Sequence, residues 1–154
     1  MTHAASAVQV TVADRATPEL VSAFERLLPQ LSRSAPPLTL HSLQQIISAP
    51  SNLLLVARDS AGGAIIGTLT LVIFPTPTAI RGWIEDVVVD ESARGRGAGE
   101  ALVQASVVLA SQRGAKTLDL TSRPSRVAAH RLYEKSGFHV RDTSVYRFGV
   151  KPGT

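Results

Sequence analysis

The residues best placed to do chemistry lie in one unbroken stretch, Trp83-Ile-Glu-Asp-Val-Val-Val-Asp-Glu-Ser-Ala-Arg-Gly-Arg-Gly-Ala-Gly99. It reads as a strand rich in β-branched residues, a glycine-rich turn carrying two arginines, and the start of a helix. At such a turn Gly95, Gly97 and Gly99 allow close backbone approach, so that N–H groups can converge on one centre. The start of the helix at Ala98 adds unpaired N–H donors and a partial positive charge. Arg94 and Arg96 add full charges. Together these groups suit a pyrophosphate-like anion. Upstream, Glu85 and Asp86 sit inside an apolar strand, where carboxylates are costly unless they are paired or functional. Strict alternation puts Glu85 on one face with Trp83 and Val87, and Asp86 on the other with Ile84 and Val88; a bulge would change that assignment.

Two familiar glycine loops are excluded. A dinucleotide fingerprint needs glycine at Glu100 or at Leu102, depending on the frame, and a P-loop needs Gly-Lys-Ser/Thr, which is absent. What remains is Arg94-x-x-Gly97-x-Gly99. A second segment, Ser125-Arg-Val-Ala-Ala-His-Arg-Leu-Tyr-Glu-Lys-Ser-Gly-Phe138, ends in Leu-Tyr-Glu-Lys-x-Gly-Phe. With both motifs in this order, the chain resembles the GNAT superfamily of N-acetyltransferases over nearly its whole length, least over the first fifty residues. The stretch from Ile84 to Gly99 is also locally similar to glucosamine-6-phosphate N-acetyltransferases.

The resemblance implies acetyl-CoA as co-substrate, no metal, and an amine as acceptor. It assigns the diphosphate to Arg94, Gly95, Arg96, Gly97, Ala98 and Gly99, and the pantetheine arm to the backbone of Val87, Val88 and Val89, where that strand separates from its neighbour. It makes Tyr133 the general acid that protonates the departing thiolate, and Glu85, ahead of Asp86, the base for the amine. Lys135 is placed near a coenzyme phosphate. Many relatives carry asparagine before the later helix; here Ser122-Arg-Pro-Ser-Arg126 has none, and Ser125 or Arg126 takes its place. The acceptor side is expected along 32–49, with His41 read as a surface residue of the second helix rather than part of that site. The expected activity is direct transfer to the primary amine of a small molecule. A protein or peptide amine and a non-catalytic acyl-CoA-binding regulator are the alternatives.

The elements that must position these groups follow from the pattern. Val8–Val12 alternates as a strand. Thr17 caps a helix with Pro18 at its first position, and Leu20, Ala23, Phe24, Leu27, Leu28 and Leu31 form its stripe. His41–Ser48 is a second helix. Leu53–Arg58 and Ala64–Phe74 form a hairpin around Ser60–Gly63, and Gly82–Val89 is the next strand. A helix over 98–113 turns its apolar positions 98, 101, 102, 105, 108 and 109 to the core. Thr117–Thr121 is a strand, Ser125 caps a helix to Ser136, and Phe138–Val140 with Ser144–Val150 makes a last strand pair. The order β-α-α-β-β-β-α-β-α-β-β implies an α/β (α+β) protein: a GNAT-like, mixed, mostly antiparallel, twisted sheet with helices on both faces.

At 154 residues one domain over 1–154 is expected. The absence of cysteine excludes disulfides, thiolate zinc sites and a cysteine nucleophile, and suits a reducing cytoplasm. No signal peptide or membrane span is evident. The net charge of +4 comes wholly from the second half: residues 1–80 hold four basic and four acidic side chains, residues 81–154 twelve and eight. That asymmetry suits a polyanionic ligand. Scattered basic residues, few aromatics and no nucleic-acid motif argue against DNA or RNA. His130 and His139 have no ligand partners at metal spacing, and His3 falls in the N-terminal stretch, where it carries no chemistry. The final strand is a candidate for pairing with a second copy's edge to form a homodimer.

Overall fold

A computed structural model describes residues 7–60 and 62–153; His3, Ala61 in the expected hairpin turn and the last residue lie outside the described residues. The elements are β1 (Gln9–Val12), α1 (Pro18–Leu31), α2 (Leu40–Ser48), β2 (Asn52–Arg58), β3 (Ile65–Pro75), β4 (Ile80–Val89), α3 (Ala98–Gln112), β5 (Thr117–Asp119) and α4 (Val127–Lys135). Caps set the early helices. Thr17 Oγ1 accepts from Leu20 N at 3.2 Å, and Thr39 and Ser42 form a reciprocal capping box at the start of α2.

The strands lie in the order β1-β2-β3-β4-β5. All pairings are antiparallel except the parallel β4–β5 pair, which α3 connects. One face packs on α3, with Leu55, Leu69, Leu71 and Ile84 against Leu102 and Val103. The other packs on α1 and α2, with Leu54, Val56 and Val88 against Leu20, Leu27 and Leu43. The chain is thus the mixed, mostly antiparallel sheet between helices that its pattern implies. No helix among the described residues is long and apolar enough to cross a membrane.

Four expectations change. First, neither Phe138–Val140 nor Ser144–Val150 forms a strand, and every described residue from 139 to 153 is exposed. Alternation makes a segment fit for a ladder, but a strand exists only with a partner. Here Phe138 N turns back to Tyr133 O at 3.0 Å, and the chain runs on as an unpaired arm. Second, Ser125 does not cap α4: Arg126 is the N-cap residue and no side chain caps the helix. Third, α3 buries Ala98, Leu102, Val103, Ser106 and Ala110, while Val108 is 55% exposed. Ser106 tolerates the core because its hydroxyl donates to Val103 O at 2.6 Å. Fourth, Ile84 and Val88 face opposite cores instead of sharing one face. A bulge in β4, described below, inverts the alternation.

Leu102 is fully buried between α3 and the sheet. Leu102→Ala should lower the urea midpoint of unfolding, with the slope unchanged, by an amount equivalent to about 2–5 kcal/mol.

Candidate active site

The loop between β4 and α3 is fastened at both ends. Asp90 N donates to Ile66 O at 2.8 Å, and Glu91 N donates to Gln30 Oε1 at 2.9 Å, which ties the loop's start to β3 and α1. The Ser92 N–H, bonding Asp90 Oδ1 at 3.1 Å, holds the Asp90 carboxyl below the usual carboxylate range, and Arg26 adds to this from 3.5 Å. Further on, Arg96 pairs with Asp59 at 3.0 Å. Among the described residues Arg94 has no ion-pair partner and is exposed.

Between these anchors Gly95 and Gly97 take φ of +79° and +83°. Gly97 is the N-cap of α3 and supplies no side-chain acceptor. The first amides of α3 therefore keep their hydrogen-bonding capacity for something outside the helix. A left-handed glycine, an uncapped helix start and an unpaired arginine form a cradle suited to a diphosphate. Gly99 matters for packing instead, since a Cβ there would lie 3.1 Å from Leu132 Cδ2. Its missing side chain lets α4 pack close on α3, and Lys135 completes the contact through Glu100 at 3.2 Å.

β4 is irregular where it passes the cradle. Thr68 pairs with Val88 and Thr70 with Glu85, so β4 advances three residues while β3 advances two. The extra residue is taken up at Asp86, whose φ is +50°, a sign uncommon outside glycine but more accessible to aspartate than to most residues. The bulge has two effects. Val87 and Val89 pack toward the α3 core and Val88 toward the α1–α2 core. Asp86 lines a cleft of about 240 Å³, together with Thr68 and Thr70 and apolar side chains of α1, α2 and the loop between them. Glu85 is exposed and accepts a hydrogen bond from Trp83 Nε1 at 2.8 Å; it is not among the residues lining the cleft.

On its other edge β4 pairs with β5 only at Arg81–Thr117, Gly82–Leu118 and Trp83–Asp119. Beyond Trp83 the pairing with β5 ends, so on that edge the backbone of Val87, Val88 and Val89 makes no ladder bonds with β5. Just past β5, the Ser122 hydroxyl is buried with no hydrogen-bond partner. The residues therefore fit a ligand with amides and a diphosphate running along that edge. Sequence reasoning gave Ser122 no role; its signal, an unpaired hydroxyl, exists only in three dimensions.

Tyr133 sits on α4, packed against the α3-side core and edge-on to Phe138 with ring centroids 6.1 Å apart. Gly137, at φ +96°, ends α4 and lets Phe138 N return to Tyr133 O, which is the physical content of the Tyr-Glu-Lys-x-Gly-Phe ending. Burial pushes the Tyr133 phenol above the ordinary tyrosine value, and the positive charge of Arg126 opposes that shift. Arg126 and Ser125 are exposed in the turn leading into α4. His130 Nε2 lies 2.9 Å from Arg123 O across this turn.

An opened sheet with an anion cradle on one side and a cleft on the other is the architecture of an acyl-coenzyme A transferase. The model of the acetyltransferase (GNAT) family matches residues 19–138, and the chain belongs to that family of N-acetyltransferases, which use acetyl-CoA as co-substrate. It is similar to glucosamine 6-phosphate N-acetyltransferase 1 of Oryza sativa subsp. japonica, 35% identical over 123 residues covering 75% of this chain and 72% of the relative. It is also similar to mycothiol acetyltransferase of Propionibacterium freudenreichii, 31% identical over 99 residues; the match covers 64% of this chain but 31% of that protein. Among solved structures, an acetyltransferase of Trypanosoma brucei superposes with a TM-score of 0.74 at 28% identity, covering 94% of this chain and all (100%) of the other. AAC(6')-Iy, bound to the bisubstrate analog CoA-S-monomethyl-acetylneamine, shares the fold at a TM-score of 0.75 and 16% identity, over 95% of this chain and 100% of that one.

The raised Tyr133 phenol keeps its proton through neutral and mildly alkaline pH. The difference in tyrosinate absorbance between the wild type and Tyr133→Phe should titrate with a midpoint above the ordinary 10.0. A midpoint at or below that value would mean that the phenol is solvated or paired with a cation.

Proposed function

We propose that this chain transfers the acetyl group of acetyl-CoA directly to the primary amine of a small molecule. The observation that carries the reading is the departure of β4 from β5 after three residue pairs. That opening leaves the strand between cradle and cleft with free backbone groups. The amides of Gly97, Ala98 and Gly99, with Arg94, hold the diphosphate, and Arg96 borders it. The backbone of Val87–Val89 accepts the pantetheine as an added strand would be accepted, and Ser122 Oγ gains a partner there. Ser125 and Arg126 flank the same end, and Lys135 reaches it once it leaves Glu100.

When bound, the coenzyme supplies an activated acetyl thioester. Backbone N–H groups near Val87 and Val88 polarise its carbonyl. Asp86, in the cleft wall, attracts the acceptor's ammonium and takes its proton, directly or through a water. Glu85 orients Trp83 beside it. Tyr133 approaches from the opposite face of the sheet, with its proton retained by burial, and delivers it to the sulfur. Amine and thiol chemistry are thus separated by the strand that binds the coenzyme.

Calorimetry with acetyl-CoA should show binding that weakens in Arg94→Ala. Tyr133→Phe should keep that binding but release thiol from acetyl-CoA about 10²–10⁴-fold more slowly with a good amine. A near-normal rate in the phenylalanine variant removes Tyr133 from the mechanism; no affinity at millimolar coenzyme removes the whole reading.

We also infer that the arm after α4 pairs with a second copy. Tyr146, Phe148 and Val150 are 93%, 87% and 79% exposed and repeat every second residue, the pattern of a strand with one apolar face. The outer edge of β5 is unpaired among the described residues. Two exchanged arms would cover four aromatic rings at roughly 150–250 Å² each. The surfaces that cover them add a similar area, which falls within the ~1,200–2,000 Å² of stable interfaces. Light scattering should give twice the chain mass, and Phe148→Lys should halve it without unfolding the protein. A monomeric wild type, or a dimer indifferent to Phe148→Lys, overturns the exchange.

A further inference from the structure

The cleft that Asp86 enters has an unusual division of chemistry. Its polar lining comes from the β-bulge and the strand beside it: the exposed Asp86, with Thr68 and Thr70 from the neighbouring strand. Its walls are apolar, led by Phe24, Leu28 and Leu31 of α1 and Leu43 of α2. Asp86 is the one charged side chain among the lining residues, and no lysine, arginine or histidine is among them. The volume of about 240 Å³ lies below the roughly 300–1,000 Å³ of sites for drug-sized ligands.

We infer that the acceptor is a small monoamine with an apolar, phosphate-free body, its ammonium on Asp86 and its hydrocarbon or aryl portion against α1 and α2. This assignment rests on the acetyl-transfer reading above and narrows it. A phosphorylated aminosugar would bring a dianion beside a carboxylate and against leucine and phenylalanine side chains. It would lose water around the phosphate and find no cation in return. A hydrocarbon amine loses nothing of that kind: its apolar surface leaves water, and its single charge meets the single opposite charge. The position of Asp86 also fits. It precedes Val87 in the strand whose backbone is free of β5, so an amine held there lies next to the thioester path, while its body points away toward α1 and α2.

The test is a direct competition. Acetyl-CoA binding is measured first, by calorimetry, so that failure of the coenzyme reading is seen separately. Thiol release is then followed with hexylamine, 2-phenylethylamine and glucosamine 6-phosphate. At least one of the two apolar amines should show a kcat/KM tenfold or more above that of the phosphosugar. Asp86→Asn, chosen because asparagine tolerates the same left-handed backbone, should raise KM for the apolar amines about tenfold, lower kcat as well because the amide cannot take the amine's proton, and leave coenzyme affinity unchanged. Leu28→Lys should depress their kcat/KM by a similar factor by placing a cation in the wall. Preference for the phosphosugar, or no turnover of either apolar amine by a protein that binds acetyl-CoA, overturns the proposal.

Discussion

One extra residue in β4 organises this protein. Between Glu85 and Val88 the strand is one residue longer than the stretch of β3 it pairs with. A regular strand would send Ile84 and Val88 to the same side. The bulge instead sends Ile84 to the α3 core and Val88 to the α1–α2 core, so the strand contributes to both layers. It also turns Asp86 into the cleft, at the level where β4 and β5 part. Aspartate is among the few non-glycine residues that accept a positive φ at modest cost. A β-branched residue at 86 would resist it, and the surrounding Val87-Val88-Val89 has no other residue able to absorb the turn.

The coenzyme side depends on a second close approach. Gly99 admits Leu132 to within van der Waals contact of the backbone of α3, and α4 is held there although it buries no residue completely. Gly137 ends α4 in a left-handed turn that folds Phe138 back onto Tyr133. The two motifs are therefore one structural unit: the glycine of the cradle helix determines where the tyrosine helix can sit. Arg96 and Lys135 are held by Asp59 and Glu100, whereas Arg94 is unpaired among the described residues. This arrangement leaves the Arg94 guanidinium at the cradle uncommitted to a carboxylate, while Arg96 and Lys135 are each held by one.

Much of this was legible in the residues. Thr17, Pro18 and the α1 stripe gave the helix and its buried face, because capping and periodicity are local. Arg94-x-x-Gly97-x-Gly99 and the Leu132–Phe138 ending gave the family for the same reason: each needs particular residues at particular backbone positions. What the pattern did not give were properties of pairs. Ser106 enters the core because Val103 O is there to receive its hydroxyl. Ser122 is conspicuous only because nothing receives its own. The alternation of 144–150 is real, but no neighbour within the described chain answers it. The division of labour between Glu85 and Asp86 turned on a bulge, and bulges are set by the partner strand as much as by the bulged one.

The two sides of the sheet differ in what they can tell about function. The cradle offers backbone amides and a guanidinium, groups suited to a diphosphate whatever is attached to it. Its chemistry therefore suits the co-substrate that the family shares and says nothing about the acceptor. The cleft is built from side chains of α1 and α2, where the likeness in sequence to the family was least. Resemblance is thus strongest where the ligand is common and weakest where it is particular. The acceptor must be argued from the cleft's own composition: one carboxylate and two threonines beside hydrocarbon side chains, and no cation to receive a phosphate.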